Sequence, residues 1–231
     1  MMMLDPLYLL VLFVGFALSG LASLWTRNAF SRWSQVPTRQ GRTGAQVAAA
    51  ILEAEGIQGV GIEPAQGFLS DHYDPRSKTL RLSPDVFSGR SVAAAGIAAH
   101  EVGHALQDAH GYLPMRARQL MVPVANLGTS IGLWMVVGGL LIGLTGLSTL
   151  GVALFAGFVL FTVVTLPVEF DASFRARKVL AKHQLLDSNE LRGVSTMLTA
   201  AAATYLAAAV TAVLQLLYWL MRLGLLGGRD E

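Results

Sequence analysis

Two histidines, His100 and His104, stand four residues apart, and a glutamate, Glu101, follows the first of them. On an α-helix, residues four apart lie about 40° apart around the axis and about 6 Å along it, so one face can aim both imidazoles at a single cation. Zinc binds neutral imidazole nitrogens, and a catalytic zinc keeps one position for water or substrate. The spacing predicts a zinc site on a helix, with Glu101 placed as general base for an attacking water.

Small residues surround this motif, since Ala and Gly dominate residues 91–109. Small side chains let helices approach one another closely, so the two histidines are predicted to be enclosed rather than exposed on an ordinary surface helix. The chain contains no cysteine, which excludes disulfides and thiolate-bound zinc. A zinc ion, one per chain, would therefore be bound by histidine and carboxylate side chains.

The composition predicts an integral membrane protein, because 53% of the residues are hydrophobic and only 14% are charged. Four stretches are long and apolar enough to cross a bilayer: residues 7–25, 120–142, 150–166 and 200–220. The last stretch is rich in alanine and carries threonine and glutamine, so a helix packed on the catalytic region is the alternative to a span. The arginines flank apolar stretches instead of forming a basic stripe, which argues against nucleic-acid binding.

Charge around these stretches predicts their orientation. Four arginines follow the first stretch and no basic residue precedes it, which favours an uncleaved anchor over a signal peptide and a cytoplasmic loop after it. An uncharged loop at 143–149 and the return of charges after Pro167 predict a hairpin that crosses outward and back. The expected organisation is a transmembrane anchor at 1–25, a cytoplasmic α/β region with the His-Glu-x-x-His helix at 26–119, a transmembrane hairpin at 120–168, a cytoplasmic helix at 169–199 and a fourth transmembrane helix at 200–222.

The polar region before the motif predicts a small α/β layer. Thr43 is placed to cap a helix that ends near Gly56, and short strands are expected at 60–63, 68–73 and 79–82. Ser83 is expected to cap a further helix that has Pro84 in its first turn. A strand beside a protease cleft can pair with an extended peptide, and the alternative is that these strands form only a lid or packing layer.

The two histidines and a water leave a tetrahedral zinc short of one protein ligand. Asp108 and His110 are close in sequence, but Asp108 lies four residues beyond His104, so its short side chain would point away from a cation held between the two rings. Glu169 begins a charged segment just after the third apolar stretch, on the same predicted side of the membrane as His100. The pattern favours Glu169 and leaves the other two as alternatives.

Three segments carry a family resemblance: Asp-His-Tyr-Asp-Pro at 71–75, Ala-Ala-His-Glu-Val-Gly-His-Ala at 98–105 and Leu-Pro-Val-Glu-Phe-Asp-Ala-Ser at 166–173. With the order of the apolar stretches, they closely resemble the YugP-like bacterial membrane zinc metallopeptidases. The plan is also similar to the HtpX-type membrane proteases, in which a hydrophobic hairpin separates His-Glu-x-x-His from a glutamate ligand. The resemblance implies a zincin-like domain with Glu169 as the third ligand. Where the HtpX type has an aspartate that supports a ligand histidine, this chain has Ser173.

Further residues near these segments have candidate roles. Asp171 is a candidate to hold the distal nitrogen of a ligand histidine, because zinc-bound imidazoles usually have such a partner. His72 and Tyr73 are candidate donors to the oxyanion of a peptide being cleaved. Arg175 and His183 are alternatives for the same task. Each of these residues has an ordinary structural role as its alternative, in a turn or as a charge beside the membrane.

The sequence thus predicts a mainly α polytopic membrane protein of about four transmembrane helices with a small cytoplasmic α/β catalytic domain. The expected activity is that of a zinc endopeptidase acting on membrane or membrane-proximal polypeptides, on the cytoplasmic side of a bacterial inner membrane. One alternative is a scaffold or adaptor that uses zinc only to hold its helices together. Another is a site-2-type intramembrane protease, against which the long polar stretch before His100 argues.

Overall fold

The computed structural model describes residues 5–67 and 70–226. Its contacts divide the chain into two compact units. The motif unit contains residues 23–115 and 168–203, and therefore the His-Glu-x-x-His sequence. The apolar unit contains the described residues of the ranges 1–22, 116–167 and 204–231.

The described residues are mostly helical, with one small sheet. In chain order the elements are α1 (Pro6–Ser34), α2 (Gly44–Ala54), β1 (Gly61–Pro64), β2 (His72–Asp74), β3 (Thr79–Leu82), α3 (Pro84–Phe87), α4 (Val92–Ala109), α5 (Leu113–Leu127), α6 (Leu133–Leu141), α7 (Thr145–Lys182) and α8 (Ser188–Arg222). A π-helical turn, Gly128–Gly132, joins α5 to α6.

The sheet of the motif unit has β3 at its centre. β1 pairs with β3 in parallel and β2 pairs with it antiparallel, so that Tyr73 stands opposite Leu80. Leu80 and Leu82 are fully buried and belong to the same apolar core as Val47 and Ile51. The sheet and α2 therefore share one apolar core with α4, which contributes buried alanines to it.

The predicted strands are present with shifted ends. The third is observed as predicted, and the first begins and ends one residue later, at Gly61–Pro64. The second was expected at 68–73 and is observed at His72–Asp74, and Phe68 and Leu69 lie outside the described residues. Pro75 follows Asp74 directly, and because proline has no N–H to donate, the strand ends there.

Two helix starts show how local chemistry sets the boundaries. Thr43 caps α2 as predicted: its hydroxyl accepts from the Gln46 N–H at 3.2 Å, and Gln46 Oε1 accepts from the Thr43 N–H at 2.9 Å. Ser83 is the N-cap residue of α3 and Pro84 lies in the first turn, as predicted, but the Ser83 side chain makes no cap hydrogen bond. The Ser83 hydroxyl donates to the Asp71 carboxylate at 3.0 Å, and the Ser83 N–H donates to the same carboxylate at 2.8 Å.

Four of the described helical stretches are long and apolar enough to cross a membrane: Pro6–Ser34, Leu113–Leu141, Thr145–Lys182 and Ser188–Arg222. This confirms the expected number, including the alanine-rich last stretch. The stretch predicted at 120–142 is not one regular helix, because the π-helical turn interrupts it. Near this turn, the hydroxyls of Thr129 and Ser130 donate to backbone carbonyls one turn earlier, which loosens a regular helix.

Within the apolar unit, small residues allow α6 and α7 to approach closely. A Cβ added to Gly139 would lie 2.4 Å from the Ser148 hydroxyl oxygen, and one added to Gly151 would lie 2.6 Å from the Gly132 carbonyl oxygen. The Ser148 hydroxyl donates to the Val136 carbonyl at 3.1 Å. Close backbone contact and a side-chain hydrogen bond are the usual means of association between helices in lipid.

Candidate metal centre

The two histidines project from α4. Ser91 caps the start of this helix, since its hydroxyl accepts from the Ala94 N–H at 3.2 Å, and Gly111 follows its end with a φ of +65°. The rings of His100 and His104 lie 4.8 Å apart between centroids and are nearly perpendicular. Both rings therefore stand on one face of one helix, as the four-residue spacing predicts.

Gly103 lets α7 approach this helix. A Cβ built at Gly103 would lie 2.4 Å from the carbonyl oxygen of Ala172, closer than carbon and oxygen can come. The close approach brings the turn of α7 that carries Glu169 and Ser173 against the turn of α4 that carries the histidines. The glycine inside the motif is thus explained by packing between the two helices.

We expect Gly103→Ala to destabilise the protein. Alanine favours a helix over glycine by about 1 kcal/mol, but overpacking against a backbone carbonyl costs about 1–3 kcal/mol and pushes α7 away from the histidines. Thermal unfolding and zinc titration of the purified protein measure both effects. The matched control is Gly138→Ala, because no atom lies within 4 Å of a Cβ built there. Equal behaviour of the two variants would contradict this account of the packing.

Glu169 completes a three-residue cluster. Its Oε2 lies 3.4 Å from His100 Nε2 and 3.6 Å from His104 Nε2, and the three ligand atoms all lie within 4.8 Å of one another. Glu169 is 2% exposed and His104 is 7% exposed. Zinc bonds of about 2.0–2.1 Å in a tetrahedron place the ligand atoms about 3.3–3.4 Å apart. The donor types and their separations therefore fit zinc.

Each histidine has a partner at its other ring nitrogen. Ser173 Oγ lies 3.2 Å from His100 Nδ1, and Gln107 Oε1 lies 3.0 Å from His104 Nδ1. Neither partner is Asp171, which the sequence offers as a candidate for this contact with a ligand histidine. Asp171 stands one step further away, where its Oδ2 accepts from Gln107 Nε2 at 2.9 Å.

The contacts of Gln107 fix the tautomer of His104. The Gln107 amide nitrogen donates to the Val168 carbonyl at 2.7 Å and to Asp171, so this end of the side chain must be the NH₂ group. The other end is then the carbonyl oxygen, which can only accept. His104 therefore carries its proton on Nδ1 and presents the lone pair of Nε2 towards Glu169 and a metal.

We expect Gln107→Ala to weaken zinc binding by about 10–100-fold, the usual cost of removing a hydrogen-bond partner from a metal-bound histidine. Competition with a chromophoric chelator measures the affinity, and thermal unfolding without metal shows whether the fold is retained. Gln58→Ala is the control, because Gln58 is exposed in a loop. Unchanged zinc affinity in the folded variant would contradict the role given to Gln107.

Glu101 lies beside the cluster and is held by the sheet. It is 8% exposed, and its Oε2 accepts from the backbone N–H of Tyr73 at 3.0 Å. Tyr73 is in β2, an edge strand, and this N–H points away from β3. The strand thus orients the proposed base, and a peptide adding to β2 at this residue would compete with Glu101 for the amide.

Three other predicted residues, Tyr73, His72 and Arg175, make side-chain contacts outside the three-residue cluster. The Tyr73 hydroxyl donates to Asp108 at 3.0 Å, and burial together with this contact raises the pKa of the phenol well above its usual range. His72 is exposed and its Nδ1 lies 2.8 Å from the Ser70 carbonyl. Arg175 Nε donates to Asp171 at 2.5 Å. None of these three side-chain contacts involves a ligand atom of the cluster.

The remaining candidates contact residues outside the three-residue cluster. His183 Nε2 lies 2.5 Å from Glu55 Oε1, which also accepts from Lys182. Hydrogen bonds from these two residues hold the pKa of Glu55 below its usual value. His110, one of the alternatives for the third ligand, follows the end of α4 and its Nδ1 lies 3.1 Å from Arg175 Nη1. Asp108, the other alternative, accepts from Tyr73, as described above.

Electrostatics around the cluster favour positive charge. Burial alone would lower the pKa of His104, but its hydrogen bond with Glu169 and the nearby charge of Glu101 outweigh burial and raise it. Burial and the charge of Glu101 also raise the pKa of Asp71. A cluster that attracts a proton in this way attracts a divalent cation for the same electrostatic reason.

Comparison with known proteins agrees with this geometry. Residues 8–224 match a protein family described as "Putative neutral zinc metallopeptidase". The chain is also 40% identical over 225 residues to a protein of Bacillus subtilis (strain 168) named "Putative membrane protease YugP", which covers 97% of this chain and 99% of that protein. No solved structure matches the chain. Because the family match extends over nearly its whole length, the chain belongs to the neutral zinc metallopeptidase family.

Proposed function

We propose that this protein is a membrane-bound zinc endopeptidase that cleaves membrane or membrane-proximal polypeptides. The observation that carries the proposal is the position of Glu169 Oε2, 3.4 and 3.6 Å from the two histidine nitrogens. Glu169, which is 65 positions after His104, completes a zinc-binding set with the two histidines, and Glu101 is next to this set in a buried position. The name of the B. subtilis relative supports a protease that acts at a membrane.

The mechanism follows from the chemistry of these residues. Zinc held by His100, His104 and Glu169 would polarise the scissile carbonyl and acidify a water molecule. Glu101 takes a proton from the water as it attacks and later passes that proton to the departing amine. The Tyr73 N–H fixes one carboxylate oxygen of Glu101, so proton transfer is assigned to the other. Gln107 and Ser173 keep the two imidazoles oriented throughout.

The proposed topology is that of the sequence prediction. The segment 1–25 forms an anchor, 120–168 a transmembrane hairpin and 200–222 a fourth span, so that 26–119 and 169–199 meet on the cytoplasmic face of a bacterial inner membrane. An even number of crossings between His104 and Glu169 is required, because the cluster brings them together. The arginines after the first span support the cytoplasmic side.

Two observations favour this proposal over the alternatives. A structural zinc site has four protein ligands, whereas the cluster formed by the described residues offers three, which leaves a position for water or substrate. An intramembrane protease would carry its motif in an apolar span. Here the motif lies on α4, which is outside the four long apolar helices found among the described residues.

Two measurements on the detergent-purified protein test the function: the metal content and the cleavage of a casein-type substrate. We expect about one zinc per chain, cleavage that a chelator abolishes, and activity that returns when zinc is added back. A protein that binds zinc tightly and cleaves no polypeptide would instead support a scaffold.

A further inference from the structure

Exposed large apolar side chains of the motif unit cluster at its chain junctions with the apolar unit. Among its described residues there are six: Leu24, Trp25, Val36, Leu113, Phe170 and Phe174. All except Val36 lie within seven residues of a position where the chain passes between the units, after Ala22, after Met115 or after Pro167. We refer to these five as the junction residues. Large apolar side chains exposed at these positions are candidates for contact with lipid or with a partner.

Two of the junction residues lie on the turns of α7 that carry the metal centre. Phe170 is 47% exposed and Phe174 is 55% exposed, and four-residue spacing puts them on one face. Glu169 and Ser173 each precede one of these phenylalanines and are buried. One face of these two turns therefore carries Glu169, the proposed zinc ligand, and Ser173, which contacts His100. The adjacent face exposes two phenylalanine rings.

The position of these rings along α7 fits the membrane interface. The apolar stretch of this helix ends at about Pro167, and with a rise of 1.5 Å per residue Phe170 and Phe174 lie about 5 and 10 Å beyond it. The polar layer on each side of a bilayer is about 5–8 Å thick, so Phe170 falls within it. Phe174 starts just beyond its outer edge, and an aromatic side chain on a helix points back towards the start of the helix and so towards this layer. Aromatic residues are enriched in this layer. Because the two rings follow the apolar stretch on the same helix, the molecule that contacts them is lipid.

Basic residues near the junction residues also favour contact with lipid. An exposed basic residue follows each group within four positions: Arg27 after Trp25, Arg116 after Leu113 and Lys178 after Phe174. Basic residues beside a membrane span are attracted to anionic headgroups. The long lysine side chain can also keep its stem along apolar surface while its charge reaches the headgroups.

We propose that the junction residues insert into the interfacial layer of an anionic phospholipid bilayer and hold the metal centre at headgroup depth. Resting on the proposed function, this position selects substrates: peptide bonds in the first residues outside a membrane span come within reach. A bond deep in the hydrocarbon or in a distant soluble domain does not. The occupant of this surface is lipid, and a second copy of the chain is an outcome of the test.

The absence of cysteine from the sequence makes the depth of single positions measurable. A nitroxide is attached to Phe170→Cys, Phe174→Cys and Leu113→Cys variants, each in nanodiscs of phosphatidylglycerol and phosphatidylethanolamine. Power-saturation spectroscopy compares collision with oxygen, which concentrates in lipid, and with a water-soluble nickel chelate. Val36→Cys is the matched control, because Val36 is an exposed apolar residue away from the junctions.

We expect the three junction labels to collide more often with oxygen, and less often with the nickel chelate, than the label at Val36 does. Nickel accessibility at the junctions equal to that at Val36 would overturn the proposal. Protection from both agents would also overturn it, because it would indicate contact with another copy of the protein. Three separate positions keep the test valid if one variant does not fold. The depth measurement requires no proteolysis, so an inactive protein with lipid-facing labels would reject the peptidase function and leave this inference standing.

Discussion

Replacement of Glu101 by glutamine is expected to abolish nearly all peptide hydrolysis and to leave zinc bound. A positioned general base contributes about 10²–10⁴-fold to the rate, and glutamine cannot take a proton from water. Glutamine retains an oxygen that can accept from the Tyr73 N–H, so the geometry around β2 is preserved. Turnover of a fluorogenic peptide and zinc content by mass spectrometry are measured on the same preparation.

The control for this variant is Glu53→Gln, which removes a carboxylate from an exposed position on α2. Its activity and zinc content should equal those of the unmodified protein. A Glu101→Gln protein that retains more than about a tenth of the activity would show that another group accepts the proton, since the effect would then fall below the range of general-base catalysis. Loss of zinc from this variant would mean that Glu101 supports the metal site.

The sequence predicted those features that depend on local pattern. The helix bearing His100 and His104 follows from their spacing, and the four apolar helices follow from length and composition, because both signals are contained within one segment. The Thr43 cap is equally local. The position of Ser83 as the N-cap residue of α3 is local too, whereas the contact of its hydroxyl with Asp71, twelve residues earlier, is created by folding.

The supports of the metal centre depend on packing between distant segments. Gln107 reaches the Val168 carbonyl 61 residues away, and Ser173 reaches His100 across 73 residues. No single segment carries that information. One local signal for Gln107 existed, since it is a polar residue three positions after His104 on a helix of small apolar residues, and the same face of a helix holds both. Asp171 was a candidate partner of a ligand histidine because it is charged. In the structure it contacts Gln107, which in turn contacts His104.

The three ligands proposed here imply that Glu169 is as important for metal binding as either histidine. We expect Glu169→Gln to lower zinc affinity by more than the roughly 10–100-fold typical of losing a supporting partner, because it replaces a charged ligand by a neutral amide. Peptide hydrolysis should disappear with the metal. Glutamine has nearly the same shape, so the packing of α7 against Gly103 should be retained. Chelator competition and zinc content of the purified protein measure the loss.

The informative control is Asp108→Asn, because Asp108 was the alternative ligand by sequence. In the structure Asp108 accepts from the Tyr73 hydroxyl, and asparagine can accept the same hydrogen bond. This variant should therefore bind zinc as the unmodified protein does. The opposite result, in which Asp108→Asn releases zinc and Glu169→Gln retains it, would place the third ligand on α4. It would also remove the need for α7 to return to the histidines, and with it the main support for the proposed membrane topology.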